Sequence, residues 1–403
     1  MTRWHIAAAI LTASVFFDST CMADEAQVSV VEIDPETGLA TAVRVDGAAL
    51  AHTSQLLPVD GDGNPNAAGD AAAQTEALLA QLGKVLDVSG AKIDDVVKLN
   101  VYLADDRHAD AVRTVLRKQL APVAQPAVSF VSGALSPPGV LVALDAVSVV
   151  PDKGLNKVSH FSITEDSKDR PSTVSILPRG GVVYISGQAE KGDDLAGRTR
   201  NTLSGLQRTL EFLGLQRADV VQLKSFLHPM SDLPVVEREI AAHFEGGPIP
   251  AHVPVEWTSE DNIEIELVAY LPPDSGAANK AALTFSTPPW MTSSPVFSRL
   301  AVVGSGPRVY ISGLYGDEPG AQIPDIFARL SAILKKADSD VDHLAKATYY
   351  VADAEVSREL NEYRPKVYNP ERPPAASKAA VRGVGRAGRT VTLDMIAVIP
   401  SKP

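Results

Sequence analysis

Val96-Val97-Lys98-Leu99-Asn100-Val101-Tyr102-Leu103 has two counterparts further along the chain: Val220-Val221-Gln222-Leu223-Lys224-Ser225-Phe226-Leu227 and Leu344-Ala345-Lys346-Ala347-Thr348-Tyr349-Tyr350-Val351. All three read as strands. Their aromatic anchors, Tyr102, Phe226 and Tyr350, recur at an interval of 124 residues, and Pro126-Ala127, Pro250-Ala251 and Pro374-Ala375 keep the same interval downstream. Two landmarks holding one register twice over mark a triplicated unit.

Working outward from that strand, each copy shows the same order. A short strand ending in a turn comes first: His52-Thr53-Ser54-Gln55, then Val183-Tyr184-Ile185-Ser186-Gly187-Gln188, then Val309-Tyr310-Ile311-Ser312-Gly313-Leu314. An amphipathic helix follows, with apolar residues at helical spacing such as Leu203, Leu206, Leu210 and Leu213. The central strand is next, then a second helix and two closing strands. The last strand of each copy sets an acid among apolar residues: Asp145, the Glu264/Glu266 pair and Asp394. This order predicts an α+β fold in which a sheet carries two helices on one face. Pro/Gly/Ser/Lys-rich stretches at 151–156 and 272–280 separate the copies, giving units at 24–151, 152–275 and 276–403.

The chain has 403 residues, 45% of them hydrophobic, and a net charge of −12, so several packed cores are expected. A polyanionic partner is not, because nucleic-acid affinity rests on Lys and Arg neutralising phosphates. Arg3, an apolar run from Ile6 to Phe17 and small residues up to Ala23 read as a secretory signal at 1–23, too short to span a bilayer. Cleavage after Ala23 would remove the lone Cys21, whereas lipidation would retain it as an anchor. In either case the sequence predicts an exported protein, periplasmic or secreted, with no disulfide and no thiol nucleophile.

Gly69-Asp70 with Ala73-Gln74-Thr75, Asp94-Asp95-Val96-Val97-Lys98, Pro126-Ala127 and an acid-bearing last strand together resemble the RidA (YjgF-type) reactive-intermediate deaminases. Tyr184-Ile185-Ser186-Gly187-Gln188 and Ile263-Glu264-Ile265-Glu266 resemble the same family's first and last motifs. The resemblance implies a chorismate-mutase-like fold, helices outside and sheets facing a threefold centre, with small-molecule clefts between neighbours. Three units on one chain then imply an intramolecular pseudo-trimeric barrel and a monomeric protein, since a linker raises the effective concentration of its modules to roughly millimolar.

The resemblance further implies metal-free, cofactor-free hydrolysis of an enamine or imine to a carbonyl compound and ammonia. An arginine after the Pro-Ala turn would grip a carboxylate, and an acid on the last strand would orient water. Carried onto this chain, the acids are Asp145, Glu266 and Asp394. The arginine position holds Val128, His252 and Ala376, none a permanent cation. His252 is the one titratable substitute and pairs in sequence with Glu266 of the same unit. Tyr184, Gly187 and Gly313 complete the expected substrate contacts, and Lys378, Arg382, Arg386 and Arg389 crowd the third unit's closing hairpin.

Gly383-Val384-Gly385-Arg386-Ala387-Gly388 fits a dinucleotide pattern but precedes a β-run instead of a helix, so it reads as a hairpin. Asp60-Gly61-Asp62-Gly63-Asn64 opens like a calcium loop, yet Pro65 stands where the bend needs glycine. Two functional readings follow: an exported imine or enamine deaminase, or an inactive small-molecule-binding pseudo-trimer lacking the carboxylate-gripping arginine. Endoribonuclease action fits an acidic exported chain less well.

Overall fold

The computed structural model describes residues 26–151, 153–163, 169–259, 261–275, 281–318 and 320–400. The secretory signal expected at 1–23, with Cys21, lies outside them. The first unit comprises β1 (Gln27–Ile33), β2 (Ala40–Asp46), β3 (Ala49–Thr53), α1 (Ala71–Ser89), β4 (Val96–Leu103), α2 (Ala109–Val115), β5 (Ala127–Ser132) and β6 (Val142–Val150). The second has β7 (Ser159–Phe161), β8 (Val174–Leu177), β9 (Gly181–Gln188), α3 (Leu195–Phe212), β10 (Val220–Leu227), α4 (Leu233–His243), β11 (Ala251–Glu256) and β12 (Ile263–Leu271). The third has β13 (Leu283–Ser286), β14 (Leu300–Val303), β15 (Arg308–Leu314), α5 (Gln322–Lys336), β16 (Leu344–Val351), α6 (Ala354–Val367), β17 (Ala375–Ala380) and β18 (Val391–Val398).

Local chemistry fixes the helix ends. Asp70, Asp194 and Asp353 cap α1, α3 and α6 by accepting from Ala73 N, Gly197 N and Glu355 N, each cap contributing about 1 kcal/mol. Helix α1 stops at Gly90, whose φ of 85° is left-handed and favours glycine. The parallel pairs β4/β5, β10/β11 and β16/β17 require crossovers, which α2, α4 and α6 supply.

The first pairing strand of each unit does not fold back on its own second strand. Instead β8 pairs with β3, β14 with β9 and β2 with β15, so each unit lends a strand to its predecessor around the ring. The lent strand, or the residue just before it, then touches the third strand of its own core through a backbone bond: Ala40 N to Pro126 O at 3.2 Å, Ser172 N to Ile249 O at 2.9 Å, and Ser298 N to Pro374 O at 2.9 Å. The seams are narrow, and the ladders form one twelve-stranded and one six-stranded sheet around a shared interior.

Strand alternation sorts the side chains. Leu99, Val101 and Leu103 pack under α1 and α2, as Leu223 and Leu227 do under α3 and α4. The opposite faces meet inside the ring in three layers. At one end Tyr184, Tyr310, Val268 and Val147 form an apolar plug; at the other, Tyr102, Phe226, Tyr350 and Val253 form a second. Between the plugs lies a polar layer carrying Lys98, Lys224, Lys346, Asp145, Glu266 and Asp394. Among the described residues no helix is long and apolar enough to cross a membrane.

Candidate functional sites: an axial polar layer and three seams

The polar layer encloses about 50 Å³, room for a few waters. Lys98 Nζ donates to Asp394 Oδ1 at 2.9 Å, Ser129 Oγ at 2.7 Å and Ile311 O at 2.9 Å. Lys346 Nζ donates to Glu266, whose other oxygen accepts from Ser377 Oγ at 2.8 Å. Asp145 accepts from Tyr102 Oη at 2.5 Å and Asn100 Nδ2 at 3.0 Å. Burial pushes the Asp145 carboxyl up, against the pull of Lys224. It works the same way on Asp394, but Lys98 and Lys224 prevail and hold that carboxyl low. Burial opposes the charge on Lys224, yet Tyr350 and the three carboxylates outweigh it and raise the ammonium above its ordinary range.

The sequence expectation of one water-orienting acid per cleft is therefore corrected. Asp145, Glu266 and Asp394 converge in one axial layer because they share a level on the inward faces of β6, β12 and β18. There they are held by hydrogen bonds and ion pairs. Tyr184 likewise belongs to the axial interior, lining the same cavity, and not to a cleft.

Each seam between units sets the third strand of one unit's core against the second strand of its predecessor. At the first seam His252 N donates to Ser54 Oγ at 2.8 Å and Gln55 N to His252 O at 3.0 Å; Ser54 stands where the other units have Ser186 and Ser312, and Gln55, whose Nε2 donates to Pro254 O at 2.8 Å, fills the position that Gly187 and Gly313 leave open. The buried His252 ring contacts Ser225 Oγ through Nε2 at 2.7 Å, and burial lowers its pKa to about 4. It is a neutral histidine near pH 7, not a substitute cation. It also lies one seam away from Glu266, which meets Lys346 and Ser377 of the third unit. A pair adjacent in one unit's sequence is split because the two edges of a unit serve different seams.

At the second seam Ala376 N donates to Ser186 Oγ at 2.7 Å and Gly187 N to Ser377 Oγ at 3.2 Å. Ala376 itself packs against the third unit's core. Glu264, two residues before Glu266 and one level nearer the seam mouth, lies against Gly187, where an added Cβ would fall 1.9 Å from its Oε1. Burial raises the Glu264 carboxyl to about 7, with Glu266 and Asp261 adding to the effect and Ser377 and Arg299 opposing it. The register places Ala143 and Thr392 at the equivalent positions, opposite Tyr102 and Tyr350 as Glu264 is opposite Phe226. Glu264 was on the page as the first acid of Ile-Glu-Ile-Glu, but alternation alone does not say which acid reaches the seam.

At the third seam Val128, Ser312 and Gly313 line an open cleft of about 310 Å³ together with Phe130, Tyr315 and Arg329. Of the four cations on the closing hairpin, Arg386 enters this cleft. Lys378 turns away to Ser357 and Asn361, Arg382 pairs with Glu256 at 2.7 Å, and Arg389 donates to Asp317 O. The glycine-rich run docks the hairpin on the first unit, with Gly385 N donating to Asp106 Oδ1 at 2.7 Å. The calcium-like loop is a polar turn in which Asp60 Oδ1 accepts from Asp62 N at 3.0 Å and Asn64 N at 2.9 Å.

Comparison with known proteins finds the same triplication. The family model described as Endoribonuclease L-PSP matches residues 30–150, 172–271 and 291–399. The RutC family protein slr0709 of Synechocystis sp. is 32% identical over 102 residues, covering 25% of this chain and 74% of its own. Among solved structures, the Rid-family protein YyfB of Yersinia pestis, of unknown function, is 24% identical with a TM-score of 0.29, over 30% of this chain and 98% of its own. RidA from the Antarctic bacterium Psychrobacter sp. is 25% identical with a TM-score of 0.21, over 23% and 80% respectively.

Proposed function

The chain belongs to the Endoribonuclease L-PSP family as a three-repeat RidA-type protein, and on that footing we propose that it hydrolyses imines or enamines at the seam between its second and third units. The observation that carries this reading is Glu264, a carboxyl raised to about 7 and packed against Gly187. A group with that pKa is divided between acid and base at neutral pH, which suits a reaction needing both.

The carboxylate takes a proton from water as the water oxygen bonds to the imine carbon. The resulting carboxylic acid returns that proton to nitrogen to give a carbinolamine; the carboxylate then takes the hydroxyl proton and passes it to nitrogen as the carbon–nitrogen bond breaks, leaving a carbonyl compound and ammonia. An enamine first gains a proton at carbon from the same group. The charge of Arg299 acts on Glu264, while Ala376 offers no cation. Glu264 takes the role in this reading that the sequence suggested for Glu266, Asp145 or Asp394. The net charge of −12 supports a small substrate over the polynucleotide in the family's description. The leader at 1–23 supports an exported site of action, which N-terminal sequencing of the secreted protein tests.

The experiment is ammonia release from an imine generated in place by an amino-acid oxidase. Wild type should exceed the uncatalysed rate, and Glu264→Gln should lose about a hundredfold or more of that excess. Equal rates for the two proteins would sink the assignment. The rival reading, a binding protein without turnover, rests on Ala376 and predicts no release from either.

A further inference from the structure

We propose that the axis of the ring, away from all three seams, holds one buried halide ion where Arg308, Tyr310 and His52 meet. Register places His52, Tyr184 and Tyr310 at one level on the inward faces of β3, β9 and β15, and Leu50, Val182 and Arg308 at the level beyond it. One level thus has two phenols and an imidazole, and the next has two aliphatic side chains and a guanidinium. Three identical units cannot build that combination.

Unspent polar atoms gather there. Arg308 is 5% exposed; its Nη2 donates to Gly180 O at 2.7 Å, while its Nη1 has no partner among the described residues. Tyr310 is 1% exposed and His52 4%, and the phenol oxygen and both ring nitrogens are likewise without a partner. Buried polar atoms are nearly always hydrogen-bonded, so four such atoms on three neighbouring side chains point to an occupant they share. Burial lowers the His52 pKa to about 3, and the Arg308 charge adds to it. Burial raises the Tyr310 hydroxyl, and the same charge pulls against it. Each ring therefore keeps a hydrogen to donate beside the guanidinium.

Charge selects an anion. Among the described groups of the axis, the cations Lys98, Lys224, Lys346 and Arg308 face the carboxylates Asp145, Glu266 and Asp394. Asp394 pairs with Lys98, Glu266 pairs with Lys346, and Asp145 feels the pull of Lys224. Arg308 is left without a carboxylate. An unpaired buried charge is costly, and one monovalent anion cancels it. The axial cavity of about 50 Å³ admits a monatomic ion, whereas pockets for organic ligands start near about 300 Å³. With a guanidinium as its main partner, the site repels metal cations. Arg308 also lines a recess between the turns at Gly47, Gly180 and Gly306, one from each unit, with Arg179 beside it. The recess is the ion's way in.

Bromide is the probe. Crystals of the full chain soaked in sodium bromide should show a strong anomalous peak on the axis, against Arg308 Nη1 and Tyr310 Oη. In solution, melting temperature should rise with sodium chloride along a saturating curve. Sodium gluconate at equal ionic strength, too large for the cavity, should not reproduce it. Arg308→Met should lose the chloride-dependent rise and melt higher than wild type in gluconate, since no charge is left unpaired. Tyr310→Phe keeps the ring and removes only the hydroxyl; it should need about tenfold more chloride for the same rise. Solvent density without an anomalous signal on the axis would mean water alone and would overturn the proposal. Equal curves in chloride and gluconate, or a wild-type chloride midpoint in Tyr310→Phe, would do the same.

Discussion

Lys98 of the first unit and Asp394 of the third lie 2.9 Å apart in the middle of the molecule, with side chains only 4% and 11% exposed. The ion pair therefore joins the two ends of the chain at the ring's axis, in a layer shut between aromatic plugs.

Breaking that pair should be costly, because the surviving charge loses its partner where water does not replace it. Lys98→Met is expected to destabilise the fold by about 3–5 kcal/mol. Lys98→Met with Asp394→Leu should recover much of the loss, since an apolar pair of similar volume leaves no charge unpaired. Urea denaturation of the two single variants and the double variant measures this, and a double variant no better than the worse single one would count against it.

Acid should unfold the protein from below about pH 6.5. His52, with a pKa lowered to about 3, and His160, His243 and His252, each lowered to about 4, are neutral in the fold but titrate near 6.5 once unfolded. The unfolded chain thus binds more protons in the window from about 6.5 down to 4, so stability is present above it and falls as pH drops through it. Melting temperature against pH checks the slope, which His252→Asn should make shallower.

Glu264 should act in the opposite direction. Its folded pKa of about 7 lies above the ordinary 4.5, so the fold binds the extra proton and loses stability as pH rises from 4.5 to 7. Glu264→Gln removes that penalty. The variant should melt higher than wild type at pH 8 and close to it at pH 4, even as activity is lost.

Gly187→Ala should displace Glu264. Gly187 carries no left-handed backbone requirement, so the conflict is the added Cβ, 1.9 Å from Glu264 Oε1. The carboxyl is expected to move outward and its pKa to fall back toward the ordinary value, which carbon-13 titration of glutamate side chains would record. An unmoved pKa would contradict the geometry.

In solution the chain should have the mass of one copy. The three units occupy one another's seams, and light scattering near the 42.6 kDa of the full sequence, less any removed leader, is expected. A stable trimer of chains would contradict this.

How far the sequence reaches can be judged on particular residues. The repeat made β4, β10 and β16 legible, because each strand's landmarks recur at one interval within the sequence itself. The lent strands were not legible. Val174-Ser175-Ile176-Leu177 is four residues long, and its partner, β3, belongs to a different repeat. The Pro-Ala landmarks did locate the seam positions Val128, His252 and Ala376. The acids went to the wrong place because β12 offers two inward levels, and only the register against β10 separates Glu264 from Glu266.

The lent strands also constrain how such a gene can be rearranged. Every seam is a junction between a unit and its predecessor, and β2 makes the third unit the predecessor of the first. Moving the first repeat to the end of the gene keeps all three junctions. Exchanging any two repeats destroys all three at once, setting Val128, His252 and Ala376 each against a lip they did not diverge with. The protein therefore has a cyclic order but no intrinsic beginning: a circular permutant opened at either linker should retain every site, whereas a reshuffled one should retain none.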